Sequence, residues 1–119
     1  MQPNRLLSTS EGMRQFTATQ LKAYLEQTAE PPLLLDVREP WEFDVCRIAG
    51  SRLVPMRQIP EAAPAMDTDA ETVVICHHGV RSFQVARFLE AEFGFTNLIN
   101  LAGGVSAWAR DVDPQMPVY

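Results

Sequence analysis

The residue types with the clearest chemical potential lie together in one short segment, Cys76-His77-His78-Gly79-Val80-Arg81-Ser82. A cysteine thiolate is a strong nucleophile, and an arginine is a permanent cation that can hold an anionic substrate. The two histidines add hydrogen-bonding groups, and Gly79 lets the chain curl with a positive φ. A cysteine at the end of a strand is more often a small buried residue, but these neighbours are hard to explain by packing. The segment therefore predicts a reactive Cys76.

The elements around this segment would place the sulfur where an anion is stabilised. Residues 72–76, Thr-Val-Val-Ile-Cys, form the strongest strand signal in the chain, continuous and β-branched. A helix follows from about Ser82 to Phe93, with Ser82 as a good N-cap. Ligands of open α/β sheets bind at the carboxyl ends of strands, and a helix N-terminus offers unpaired N–H groups. Both features favour a thiolate or a persulfide at Cys76.

Strand and helix signals alternate along the rest of the chain, which predicts an α/β domain with a mainly parallel sheet covered on both faces. We expect residues 1–13 to be a flexible leader and residues 14–119 to be one domain. The remainder after Arg110, with Pro114 and Pro117, is predicted to be a surface tail. The other expected elements are a helix started by the Thr17–Gln20 capping box, strands in 33–37, 51–55 and 95–101, and short helices near 40–43, 57–63 and 105–110.

Composition limits the possible partners and the location. The 119 residues carry a net charge of −5, which argues against nucleic-acid binding. No apolar run is long enough to span a bilayer and the N-terminus lacks a signal peptide, so we expect a cytoplasmic protein without a membrane partner. The two cysteines form no disulfide framework, and Cys46 is interpreted as structural. No metal site is expected, because the adjacent side chains of Cys76, His77 and His78 rarely chelate one ion.

Four segments together resemble the rhodanese homology family in its single-domain form. They are Asp36–Phe43, Ile48–Ser51 followed by Val54-Pro55, the loop Cys76–Ser82, and Leu101–Val105 with Ala107-Trp108. The match covers about residues 14–119. The resemblance implies a rhodanese-like fold with about five strands in a mostly parallel sheet flanked by helices.

The resemblance also implies a sulfurtransferase that needs no cofactor. The Cys76 thiolate would take a sulfane sulfur from thiosulfate or another persulfide and pass it to a thiophilic acceptor, such as cyanide, a thiol or an acceptor protein. The N–H groups of His77, His78, Gly79, Val80, Arg81 and Ser82 would stabilise the persulfide. Asp36 and Arg38 would support the site from a neighbouring strand end.

Three alternatives remain open beside this resemblance. A cysteine phosphatase of this fold has five residues between Cys and Arg, whereas four separate Cys76 from Arg81 here. A shorter loop should curl more tightly and suit a sulfur atom better than a phosphate. A non-catalytic binding or regulatory module commonly lacks the cysteine. A redox sensor would need Cys46 within reach of Cys76.

Overall fold

The computed structural model describes residues 12–119 as five β-strands and five α-helices. The strands are β1 Met13–Phe16, β2 Leu33–Asp36, β3 Arg52–Leu53, β4 Thr72–Ile75 and β5 Leu98–Leu101. The helices are α1 Ala18–Gln27, α2 Pro40–Val45, α3 Ile59–Ala62, α4 Val80–Phe93 and α5 Gly104–Asp111. Short 3₁₀ turns, Met56–Gln58 and Ala63–Ala65, flank α3. None of the helices in this part of the chain is long and apolar enough to cross a membrane.

The sheet has the strand order β1-β5-β4-β2-β3, and every pairing is parallel. This confirms the predicted α/β class and the five-stranded parallel sheet. The central strand β4 is buried at all four positions, in keeping with its continuous apolar sequence. Asp36 is paired with Ile75, so β2 and β4 end at the same edge. The residues that follow these two strands therefore meet at one site.

Both faces of the sheet are covered, as predicted. One face packs against α1 and α5, with Leu21, Val105 and Trp108 in its core. The other packs against α3 and α4, with Ile59 and Leu89 in its core. Each fully buried aliphatic side chain of this kind contributes about 1.5–3 kcal/mol to folding. The two cores hold the sheet between rigid layers and so fix the edge at which β4 ends.

The start of α4 differs from the prediction, which made Ser82 the N-cap. The helix begins at Val80 and its N-cap is Gly79, which has a φ of +96°. Glycine adopts this conformation at little cost, so the chain can turn into the helix directly after Cys76. Ser82 consequently lies inside the first turn, with its side chain buried.

Two further differences concern the ends of the chain. Met13, which the sequence assigned to the leader, begins β1, and residues 1–11 of that leader lie outside the described residues. The predicted surface tail is wrong in part, because Met116 is buried in the core and Tyr119 packs onto the site described below. Cys46 is buried in the same core as Met116, as a structural cysteine would be.

Candidate active site

Cys76 lies at the base of a loop that points backbone N–H groups at its sulfur. The Gly79 N–H donates to Sγ at 3.1 Å and the Ser82 N–H donates at 3.3 Å. Both residues belong to the end of the loop and the first turn of α4, where N–H groups lack partners within the helix. Cys76 itself is 1% exposed. The geometry therefore stabilises a negative charge on sulfur by backbone dipoles in a largely buried position.

A buried polar network supports this arrangement from β5. The Cys76 thiol lies 3.3 Å from Ser82 Oγ, and Ser82 Oγ donates to Asn100 Oδ1 at 2.5 Å. The amide nitrogen of Asn100 donates to the carbonyl of Gly79 at 3.2 Å and to Gln15 Oε1 at 2.9 Å. Asn100 is 2% exposed, so the hydrogen bonds compensate for its burial. This network fixes both ends of the loop that surrounds the sulfur.

The first turn of α5 packs directly against the loop. The N–H groups of Val105 and Ser106 donate to the carbonyls of Cys76 and His77 at 2.9 and 3.0 Å. Gly104 has a φ of +60°, and a Cβ there would lie 2.4 Å from both carbonyl oxygens. Only glycine lets the two backbones approach so closely. The C-terminal signature noted in the sequence thus shapes the loop from outside it.

Asp36 and Arg38 form a fully buried ion pair beside the loop. Arg38 donates to both carboxylate oxygens of Asp36, and the closest contact is 2.7 Å. It also donates to the carbonyl of Cys46 at 2.6 Å and to the Tyr119 hydroxyl at 2.8 Å. Burial alone would lower the pKa of Arg38, but the hydrogen bonds to Asp36 and Tyr119 raise it above the ordinary value. The pair therefore holds neighbouring segments in place.

Arg81 has a carboxylate partner that the sequence did not identify. Its guanidinium donates to the two oxygens of Glu42, on α2, at 2.8 and 2.9 Å. The hydroxyl of Tyr119 donates to the same carboxylate at 2.9 Å. The bond from Arg81 lowers the pKa of Glu42 to about 2, despite burial, so that Glu42 is ionised at neutral pH. The positive charge of the loop is therefore paired with a buried carboxylate.

The remaining loop side chains lie at the rim. His77 stacks on the ring of Tyr119, with centroids 4.0 Å apart and an interplanar angle of 14°. Burial and the neighbouring His78 lower the pKa of His77, which favours the neutral imidazole. Val80 is exposed on the outer side of the loop. A small cavity of about 70 Å³ is lined by Tyr119, His77, His78, Cys46 and Ser106, among others.

The structure thus brings the predicted loop, Asp36 and Arg38 to one edge of the sheet, and adds three residues that the sequence analysis missed. Asn100 had a signal, because a polar residue interrupts an otherwise apolar strand. Glu42 lies inside the recognised Asp36–Phe43 segment but received no role. Tyr119 had no local signal at all. Among residues 12–119, no three His, Cys, Asp or Glu side chains are placed to hold a metal ion.

Comparison with known proteins identifies the class of this domain. The family described as "Rhodanese-like domain" matches residues 17–111, which is most of the chain. The chain therefore belongs to the rhodanese-like family. A solved structure of a rhodanese-like domain protein from Staphylococcus aureus is similar to it, with a TM-score of 0.73 and 31% identity over 81% of this chain and 91% of that one.

Two relatives at the sequence level are larger proteins, and the chain matches only a part of each. The chain is 37% identical over 102 residues to "Adenylyltransferase and sulfurtransferase MOCS3-1" of Zea mays, matching 80% of this chain. It is 31% identical over 121 residues to "Rhodanese-like/PpiC domain-containing protein 12, chloroplastic" of Arabidopsis thaliana, matching 97% of this chain. These matches cover only 22% and 40% of the two relatives. Relatives named sulfurtransferases support sulfurtransferase activity in general for this family.

Proposed function

We propose that this domain is a thiosulfate sulfurtransferase-like enzyme that carries a sulfane sulfur on Cys76. The observation that supports this most directly is the convergence of the Gly79 and Ser82 N–H groups on Cys76 Sγ. Such donors stabilise a negative charge on sulfur, whether it is the attacking thiolate or the terminal sulfur of a persulfide.

In the first step, the Cys76 thiolate attacks the outer sulfur of a donor such as thiosulfate. An S–S bond forms to Cys76, the bond between the donor's two sulfurs breaks, and sulfite leaves with the electron pair. The product is a Cys76 persulfide with a single negative charge. The loop N–H groups orient the donor, while Ser82 and Asn100 keep the loop in shape. No oxidant or reductant is consumed, because the sulfane sulfur moves between two sulfur nucleophiles.

In the second step, a thiophilic acceptor attacks the terminal sulfur of the persulfide. The new bond forms to the acceptor, the S–S bond to Cys76 breaks, and the thiolate is regenerated. Cyanide, a small thiol or an acceptor protein with a nucleophilic sulfur meets this requirement. The alternating states of Cys76 predict ping-pong kinetics.

Intact-protein mass spectrometry after thiosulfate treatment tests the proposal. The wild-type chain should gain one sulfur atom, about 32 Da, as covalent catalysis by Cys76 requires. Cys76→Ser should gain nothing, while Cys46→Ser, the matched control, should still take up sulfur. Addition of cyanide should return the wild-type mass to its starting value. An unchanged wild-type mass with every sulfane-sulfur donor, or equal uptake by Cys76→Ser, contradicts the proposal and favours a non-catalytic binding module. Hydrolysis of an aryl phosphate would instead favour the phosphatase alternative.

A further inference from the structure

The loop around Cys76 contains a single lysine or arginine, Arg81. Its guanidinium makes a two-pronged contact with Glu42, at 2.8 and 2.9 Å, rather than extending freely towards a donor. The side chain of Glu42 is only 5% exposed, whereas the side chain of Arg81 is 35% exposed. The buried partner is therefore the fixed one, and it determines how much of the positive charge of Arg81 a donor experiences.

Glu42 is held in this position from two further sides. The backbone N–H of Glu39 donates to one carboxylate oxygen at 2.9 Å, and the Tyr119 hydroxyl donates to the other at 2.9 Å. Tyr119 is fixed in turn by the Arg38 guanidinium at 2.8 Å and by stacking on His77. A carboxylate that accepts this many hydrogen bonds keeps its position, and so does not release Arg81, when a sulfur donor binds.

The ionised side chains of the site cancel in charge. Asp36 and Arg38 neutralise each other behind the loop, and Glu42 and Arg81 do so at its rim. The site is thus rich in N–H dipoles but has no surplus cation from these four side chains. A doubly charged donor such as thiosulfate gains less from this arrangement than it would from an unpaired arginine.

We infer that Glu42 is a specificity-determining residue. By offsetting the positive charge of Arg81, it disfavours dianionic donors and favours sulfane-sulfur donors with a single negative charge. This inference rests on the proposed persulfide chemistry of Cys76. It adds the charge class of the donor, and it gives Glu42 an electrostatic role rather than a contact with the reacting sulfur.

Two small donors that differ by one charge provide the test. Thiosulfate is a dianion that releases sulfite, and methanethiosulfonate is a monoanion that releases methanesulfinate. Each leaves the same persulfide on Cys76, so their second-order rate constants for persulfide formation can be compared directly. The quantity to follow is the ratio of the thiosulfate constant to the methanethiosulfonate constant, because a general loss of activity cancels in it.

The variants form a double-mutant cycle. In Glu42→Gln the ratio should rise about three- to thirtyfold, as expected when one nearby unit charge is removed at a dielectric between those of a protein surface and water. In Arg81→Gln it should fall, because Glu42 then remains as an uncompensated anion. In the double variant Glu42→Gln/Arg81→Gln it should return towards the wild-type value, since both charges are gone.

A merely structural role for Glu42 would slow both donors equally and leave the ratio unchanged, which would overturn the inference. A double variant with a ratio as low as that of Arg81→Gln would overturn it too, because Arg81 would then bind the donor directly whether or not Glu42 is charged. If Glu42→Gln does not fold, the inference is tested by comparing the ratio in Arg81→Gln with the ratio in the double variant. If the wild-type protein takes sulfur from neither donor, the proposed function itself is refuted. If it takes sulfur from both donors but the ratio of the two rate constants does not change in the variants, only the role of Glu42 is refuted.

Discussion

Replacing Gly104 with alanine tests whether the first turn of α5 shapes the loop that holds Cys76. The added methyl group would lie 2.4 Å from the carbonyl oxygens of both Cys76 and His77. These are backbone atoms, and the same oxygens accept the N–H groups of Val105 and Ser106. The substitution must therefore push the loop away from α5 and break or stretch both hydrogen bonds.

The expected loss of stability follows from three contributions. Two backbone hydrogen bonds account for about 1 kcal/mol each. The left-handed conformation of residue 104, with a φ of +60°, adds about 1 kcal/mol for a residue that carries a Cβ. A total of about 3 kcal/mol is a large part of the stability of a small domain and should lower Tm by roughly 10 °C. Displacement of the Gly79 and Ser82 N–H groups should also slow persulfide formation by about tenfold or more.

Urea unfolding and the initial rate of persulfide formation measure the two effects. Gly94→Ala is the matched control, because Gly94 also has a positive φ, +71°, but an added Cβ meets no other described part of the chain within 4 Å. The control should lose only about 1 kcal/mol and retain its transfer rate. The reasoning is refuted if Gly104→Ala is as stable as Gly94→Ala, or if it accepts sulfur at the wild-type rate.

Two further predictions concern the ion pairs. Because Arg81 lowers the pKa of Glu42 from 4.5 to about 2, the pair stabilises the fold above about pH 4.5 and loses this contribution as the pH falls towards 2. The difference in unfolding free energy between wild type and Glu42→Gln should thus shrink over that range in urea titrations, and a constant difference would contradict the ion pair. Arg38→Lys should destabilise the protein by about 2–3 kcal/mol, since one ammonium cannot serve Asp36, the Cys46 carbonyl and Tyr119 together. Urea unfolding at pH 7 measures that loss, and a variant as stable as wild type would show that the fork geometry is dispensable.

Prediction from sequence succeeded where local pattern and tertiary structure agree. The apolar run of β4 and the helical spacing of α4 identify the central strand and the helix behind it. They also place Cys76 between the two, which is the main feature of the site. The N-cap of α4 was predicted wrongly because serine is a common capping residue. Gly79 instead caps the helix by adopting a positive φ, and a glycine with a positive φ is equally typical of several kinds of turn.

What could not be predicted depends on contacts between distant segments. Strand β1 has only four residues, and its two central ones are exposed, so no alternation marks it. It becomes a strand because β5 offers it a parallel partner. Tyr119 is a similar case, since its role depends on the hydrogen bonds to Arg38 and Glu42, which lie about 80 residues earlier in the chain. Sequence patterns describe local preference and carry no record of such pairings.

The way in which charge is distributed at the site suits a group that never changes its own net charge. Under the proposed function, Cys76 begins as a thiolate, becomes a persulfide and returns to a thiolate, with one negative charge at each stage. Backbone N–H dipoles from Gly79 and Ser82 stabilise this single negative charge at every stage without a surplus cation. A surplus cation would also bind the dianionic sulfite released from thiosulfate and delay its departure. The pairing of Arg81 with Glu42 avoids that cost, because it keeps a guanidinium beside the loop while offsetting its charge with a carboxylate.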